Sequence, residues 1–372
     1  MFEKKPDLVS HQPSPGLLWM LLLVLLSAEV NADTKAGSQE ATGKTQKSDI
    51  TFFVLGDPQL HEDHLHTMVE RIAAAKPDFV LIPGDCAMTG NPELPLENFF
   101  KIFAPLYPKP NTLLYAIPGN HDIDHGLAVD GPTWLELWDL PEPKVYYSFT
   151  RKSVYVAGLC VTARSLFRKS QHDWPVPLGD SPASQLEWLD EDLKSLPPSI
   201  QWKFLFHHEP GPRYCYNGSD GWGVSNYLEP MAYDAGVDII FRGHIHCYER
   251  TYPINIDTGQ PDPARGLTMI TTGGGTTSFF PPHPDTPLAH QPLWFDAVVA
   301  NERLHYCRVV ITGNHLKFEA IDLNENVFDQ FEITKSVDGH RTWSHLPKEC
   351  VVVPKPKNFG GISKPPLEEK DK

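Results

Sequence analysis

The sequence predicts an α/β fold of four layers, α-β-β-α, with two mixed sheets stacked face to face and helices on the outside. Three observations lead there. Between residues 51 and 117 short apolar runs alternate with helical patterns in βαβαβ order, as in a largely parallel sheet buried on both faces. After Gly275 the pattern is of strands alone. The apolar runs also end in Gly followed by Asp, Asn or His, and the carboxyl ends of such strands are where ligands bind.

The elements follow in order. Thr51–Leu55 is a short apolar run ending at Gly56, and His64–Ala75 has a helical period. Phe79–Ile82 is a second run, ending at Pro83-Gly84. A helix over Leu96–Leu106 leads to Thr112–Ile117, which ends at Pro118-Gly119. Val145–Phe149 and Ser153–Gly158 read as strands, and Ser184-Gln185-Leu186-Glu187 is a capping box opening a helix through about Leu196. Further strands are expected at Trp202–Phe206, Val237–Phe241, Leu267–Thr271, Glu302–Ile311, His315–Asp322 and Val327–Thr334.

The chain has 372 residues, 41% hydrophobic, 21% charged and 11% aromatic. That is enough apolar material for a sizeable core. Its 32 basic and 47 acidic residues give a net charge of −15, so no basic footprint for nucleic acid is indicated. The 36 prolines argue against a helical bundle. Residues 1–32 have the layout of a secretory signal: Lys4 and Lys5, an apolar run Leu17–Leu26, then Val30-Asn31-Ala32 as a small-x-small cleavage site. The run is shorter than the roughly 20 residues of a membrane span, so no stable span is expected and the location is secreted, periplasmic or extracellular. Residues 33–50 read as a flexible linker, 51–335 as one domain, and 336–372 as an extension, largely disordered after 354. Six widely spaced cysteines (86, 160, 215, 247, 307, 350) contain no CxxC, and leave disulfides and buried thiols equally open. Asn217-Gly218-Ser219 is a lone glycosylation sequon.

Five polar clusters sit at the ends of apolar runs: Gly56-Asp57-Pro58-Gln59, Gly84-Asp85-Cys86, Gly119-Asn120-His121-Asp122, His207-His208-Glu209-Pro210 and Gly243-His244-Ile245-His246. One Gly-Asp pair is an ordinary turn. Five such clusters, all of metal-ligand types, point to a metal site. Together they resemble the calcineurin-like metallophosphoesterase superfamily. Gly243–Arg250, with Gly273-Gly274-Gly275 later, looks most like its purple acid phosphatase branch. Two positions depart from that branch. Met88 stands where it places a metal-binding tyrosine, and Gln59 stands where many relatives have histidine.

The resemblance implies two divalent metal ions, Mn, Fe or Zn. Asp57, Gln59, Asp85 and His246 would hold one, and Asp85, Asn120, His208 and His244 the other. At the fourth cluster His207 and His208 are both candidates; the H-x-P spacing and the six-residue step from Trp202 favour His208. His121 would protonate the leaving group, and Asp122 would accept from its other ring nitrogen. The implied activity is hydrolysis of small phosphate monoesters by a metal-bound hydroxide, with a cyclic-nucleotide or other phosphodiesterase as the alternative. A non-catalytic binding protein that kept the fold is the reading from another class. Such relatives usually lose an Asp or His ligand, and none is lost here.

Overall fold

Alternate residues of the first strands face opposite ways, and both faces are apolar. In β1 (Ile50–Val54), β2 (Phe79–Pro83) and β3 (Leu114–Ile117), the side chains of Phe52, Val54, Phe79, Leu81, Tyr115 and Ile117 enter one core cluster. Phe53, Val80, Ile82, Leu114 and Ala116 enter another. Such strands have no solvent face and must lie between two layers. The computed structural model describes residues 50–59, 63–86, 96–107, 112–123, 138, 140–141, 144–161, 182–210, 227–279 and 295–353. The leader 1–32, the linker up to residue 49 and the tail from 354 lie outside the described residues.

The remaining strands are β4 (Tyr147–Arg151), β5 (Val154–Leu159), β6 (Trp202–His207), β7 (Ile239–Arg242), β8 (Tyr248–Thr251), β9 (Ile254–Asn255), β10 (Gln260–Pro261), β11 (Thr268–Thr272), β12 (Asp296–Ala300), β13 (His305–Thr312), β14 (His315–Asp322), β15 (Val327–Lys335), β16 (Arg341–Trp343) and β17 (Val351–Val353). One sheet has the order β16-β15-β14-β13-β1-β2-β3 and the other β17-β12-β8-β11-β7-β6-β5-β4. Each is mixed. β1, β2 and β3 run parallel, and so do β5, β6, β7 and β11. β1 pairs antiparallel with β13, and β11 antiparallel with β8.

Three apolar clusters make four layers. The central one lies between the sheets, where Phe52 stacks on Phe79 at 4.7 Å and meets Phe204 edge-on at 5.1 Å. Two helices, Asp63–Ala74 and Glu97–Ile102, cover one sheet through Leu65, Met68, Ile72 and Phe99. The helices Pro182–Ser195 and Glu229–Asp234 cover the other through Leu189, Leu193 and Ala232. The Tyr147 hydroxyl ties the sheets together by donating to the Ala116 carbonyl at 2.8 Å.

The structure corrects several boundaries. The helix expected from Ser184 begins at Pro182, where proline's fixed φ suits the first turn and its missing N–H costs nothing. The strand expected from Glu302 begins at His305, because Glu302 turns at φ 48°. Strands β16 and β17 lie in the stretch assigned to the C-terminal extension. Among the described residues no helix is long and apolar enough to cross a membrane.

Candidate metal centre

All five clusters leave the C-terminal ends of parallel strands: β1, β2, β3, β6 and β7. The one after β3 forms a single helical turn, Asn120–Ile123. Parity decides which side chains face inward. Trp202, Phe204 and Phe206 of β6 point into the core between the sheets, and Leu205 points out. One step past the strand, His208 therefore continues the inner face and His207 the outer.

The backbone at the site is bent sharply. Asp57, Asp85 and His244 have φ of 57°, 54° and 68°, the left-handed region that non-glycine residues rarely enter. Each such residue costs on the order of 1–3 kcal/mol, a strain typical of functional sites. The loops also approach closely. A Cβ on Gly84 would lie 2.4 Å from His208 Nδ1, and one on Gly119 would lie 2.2 Å from Asp85 Oδ1. Only glycine fits at either position.

The ligand-type atoms converge into two groups that share one carboxylate. Asp85, His208 and His244 form the first, and Asp57, Asp85 and His246 the second; within each group one ligand atom per residue lies within 4.8 Å of the others. All of these side chains are buried. Asn120 belongs with the first group: its Oδ1 lies 2.9 Å from His208 Nε2 and 2.7 Å from His244 Nδ1. Gln59 belongs with the second, its Nε2 3.2 Å from His246 Nε2. Asp57 accepts from the His244 N–H at 2.8 and 3.0 Å, so one ligand's carboxylate holds another ligand's backbone.

Two carbonyls fix the imidazoles. His208 Nδ1 donates to Pro83 O at 2.8 Å, and His246 Nδ1 donates to Ser278 O. Each ring thus presents Nε2 inward, the usual way an outer partner orients a ligating histidine. His244 presents Nδ1 instead.

A cation fits this arrangement. Gln59 Oε1 is buried without a hydrogen-bonding donor, and Asp85 Oδ2 has only the longer contact to His208 Nε2 at 3.3 Å. His244 Nδ1, His208 Nε2 and Asn120 Oδ1 crowd within 3.2 Å of one another. Lone pairs gathered like this are costly unless a positive charge lies between them. In the bare protein that charge is a proton. Burial acts to lower the His208 imidazole, but the Asp85 carboxylate overrides it and pushes the ring up to about 10. Burial likewise acts to raise Asp85, yet His208, then His121 and His244, hold it well below the usual carboxylate range. Metal binding would displace that proton.

The remaining candidates and other polar or aromatic residues of these segments fall as follows. His121 is half-buried, and its N–H donates to Asp85 Oδ1 at 2.8 Å. Asp122 is buried, its Oδ2 accepting from the N–H of Gly119 at 2.8 Å and of Cys86 at 3.2 Å. His207 lies away from the ligand groups, and burial followed by the nearby Arg242 pushes its imidazole down to about 3. His64 is buried with Nε2 3.2 Å from Gly275 O, while His66 is exposed and His61 lies outside the described residues. Arg250 makes a two-pronged ion pair with Asp329 at 2.6 and 2.9 Å and does not reach the site. Trp138 is a core residue, packed on Phe99 and Phe100. Met88, Cys215, Asn217 and the tryptophans at 134, 174, 222 and 294 lie outside the described residues. Cys307 and Cys350 are free thiols, and Cys86, Cys160 and Cys247 are buried.

The first cluster is supported from a distant part of the chain. Gly56 N–H donates to Thr272 O at 3.1 Å, and Gly275 N–H to Gly56 O at 2.9 Å. His305 props this turn from behind: its N–H donates to Gly274 O at 3.1 Å, and its Nε2 lies 3.1 Å from Thr272 Oγ1. The Gly273-Gly274-Gly275 run was the visible signal; its histidine partner is some thirty residues away and was not.

Comparison with known proteins agrees with this geometry. The family model described as calcineurin-like phosphoesterase matches residues 50–248. Purple acid phosphatase 18 of Arabidopsis thaliana is 27% identical over 240 residues, covering 61% of this chain and 49% of that protein. Purple acid phosphatase 22 of the same plant is 24% identical over 232 residues, covering 61% and 50%. The chain thus spans about half the length of these curated relatives. Among solved structures, purple acid phosphatase PPD1 from yellow lupin (Lupinus luteus) seeds superposes with a TM-score of 0.58 at 17% identity, covering 77% of this chain and 53% of that one. GAP50, described as the anchor in the inner membrane complex of Plasmodium, gives 0.54 at 14% identity, covering 76% and 87%. These structures share the fold. Because the family match takes in more than half of the sequence and every cluster that builds the site, the chain belongs to the calcineurin-like phosphoesterase family.

Proposed function

We propose that this chain is a secreted enzyme that hydrolyses phosphate monoesters at a pair of divalent cations. The observation that carries the reading is the sharing of Asp85 between two buried ligand groups. Asp57, Gln59, Asp85 and His246 would hold one cation, and Asp85, Asn120, His208 and His244 the other. Asp85 suits the shared place because a carboxylate offers two anionic oxygens. Bound there, the cations would lower the pKa of a water from 15.7 toward about 7 and clamp the phosphoryl oxygens.

The chain's own residues do the rest. Among the described residues the two ligand groups hold two carboxylates, Asp57 and Asp85, with neutral imidazole and amide donors, so a pair of divalent cations there would keep a positive charge that draws a phosphate into an otherwise acidic protein. His121 passes a proton to the leaving-group oxygen, and Asp122 sets its tautomer. The mix of carboxylate, amide oxygen and imidazole suits Mn, Fe(II) or Zn. With Met88 in the place of the branch's tyrosine, that phenolate ligand is missing, and the loaded protein should lack the purple charge-transfer colour.

The test is a panel. Protein loaded with Mn2+, Fe2+ or Zn2+ is assayed on a chromogenic monoester, a diester and a cyclic diester. Preferred turnover of the monoester supports the reading; preference for either diester replaces it with a phosphodiesterase. Asp85→Asn should lose the metals and the activity together, and His121→Ala should lose activity with metals retained. Fewer than one metal per chain after metal-replete expression would favour a non-catalytic role. The secreted protein should begin at Asp33.

A further inference from the structure

The loops that carry Asp85 and Asn120 exchange bonds in a reciprocal pattern. Asp85 Oδ1 accepts from the N–H of His121 at 2.8 Å. Asp122 Oδ2 accepts from the N–H of Cys86 at 3.2 Å and of Gly119 at 2.8 Å. Each loop's carboxylate is therefore bound by the other loop's backbone. The bonds flank the ligands closely, since Cys86 directly follows Asp85 and Gly119 directly precedes Asn120. Asp122 is 1% exposed, so water does not compete for its oxygens. Bonds from N–H to an ionised carboxylate are stronger than neutral ones.

We infer that Asp122 is a positioning residue for the metal pair itself, a task separate from any action on His121. The clasp holds the 84–86 loop and the 119–122 turn at one spacing. That spacing turns Asp85 Oδ2 toward His208, 3.3 Å away, and brings Asn120 Oδ1 to the same ring at 2.9 Å. Without Asp122, the Cys86 and Gly119 N–H groups lose the acceptor that draws the two loops together. The shared carboxylate and the amide ligand then drift apart, and both cations feel it, because Asp85 serves both groups. The inference rests on the metal-site reading above, but not on any substrate.

The experiment measures Mn2+ affinity of the full chain by competition with a chelator, alongside turnover. Asp122→Ala should weaken Mn2+ binding by about 10–100-fold, the usual effect of removing an outer partner of a metal ligand. Excess Mn2+ should restore full metal occupancy of Asp122→Ala, which a loss of folding would not allow, whatever turnover the lost action on His121 still costs. Asp122→Asn keeps an acceptor oxygen and should weaken Mn2+ binding less than Asp122→Ala does. Wild-type Mn2+ affinity in Asp122→Ala, with lowered turnover and a shifted pH profile, would show that Asp122 acts through His121 alone and overturn the inference. Should Asp122→Ala not fold, Asp122→Asn decides: weakened Mn2+ binding at wild-type thermal stability supports the clasp, and unchanged binding rejects it. A wild-type chain that binds two Mn2+ yet hydrolyses no ester would end the proposed activity and leave this test standing.

Discussion

The two ends of the β6 and β7 strands make an instructive contrast. At their C-terminal ends lie the strained turns and the orphaned oxygens of the metal centre. At the opposite end, buried Asp238 accepts from Lys335 Nζ at 2.7 Å, Arg341 Nε at 2.7 Å and the Lys203 N–H at 2.9 Å. Arg341 donates onward to the Gly266 and Val237 carbonyls, and Lys335 to the Gln201 carbonyl. Burial acts to raise Asp238, but Lys335 and Arg341 hold it below the usual range. A cavity of about 1110 Å³ opens at this end, lined in part by Lys203, Lys335 and Arg341. All three cations are already bonded, Lys203 to the Ala235 carbonyl at 2.7 Å. Depth alone does not make a binding site. At the metal centre acceptor atoms of several ligands face one another, whereas around Asp238 each charged group already has an opposite charge or a carbonyl, and that end holds the fold together.

Three measurements can break or sharpen that contrast. Asp238→Ala should cost the most, about 3–5 kcal/mol of unfolding free energy, because it strands two buried cations. Chelator competition on the same variant should give wild-type Mn2+ affinity; a large loss would mean that the two ends are coupled.

The second effect is set by pH. Burial pushes His305 down to about 4, against 6.5 for the free group. The unfolded chain therefore binds the extra proton between these values. Stability from this ring is fully present above about 6.5 and falls as the pH drops toward 4, by on the order of 3 kcal/mol. Denaturant unfolding of the metal-free protein across this window should show that fall, and His305→Gln should make it shallower, leaving the part that comes from His207. An equal slope in both proteins would remove His305 from the account.

The smallest effect concerns Gln59. Its Oε1 has no donor, so Gln59→Met should leave the metal-free unfolding midpoint within about 1 kcal/mol of wild type or raise it. The same change should weaken Mn2+ binding. A variant that is less stable and binds Mn2+ as before would place Gln59 among the structural residues.

Much of this was legible in the sequence because strands have a period of two. The apolar alternation of Phe52 and Val54 against Phe53 marks a strand buried on both sides. The same alternation from Trp202 carries the inner face to His208 and away from His207. The ligand types were visible because each follows a strand end. Their supports were not. Pro83 O and Ser278 O fix two imidazoles, but they are backbone groups and have no residue signature. The left-handed turn at His244 was also hidden, since histidine does not announce that conformation as glycine would. β12 and β17 lie at the far edge of their sheet and carry little sequence signal, because β12 slips register against β8 between Asp296 and Val298 and β17 is only three residues long.

The pairing of β1 with β13 has a consequence for how the chain is made. Ile50–Val54 is hydrogen-bonded on one side by Cys307–Ile311, more than 250 residues later. A ribosome-bound chain thus presents one bare edge of its first strand until nearly all of the polypeptide has emerged. Long-range pairing of this kind slows folding and leaves an edge open to other chains. Expression that is slow, or stopped before residue 305, should therefore yield aggregates, and a shortened version ending at the family match would carry the ligands without the strand that closes their sheet.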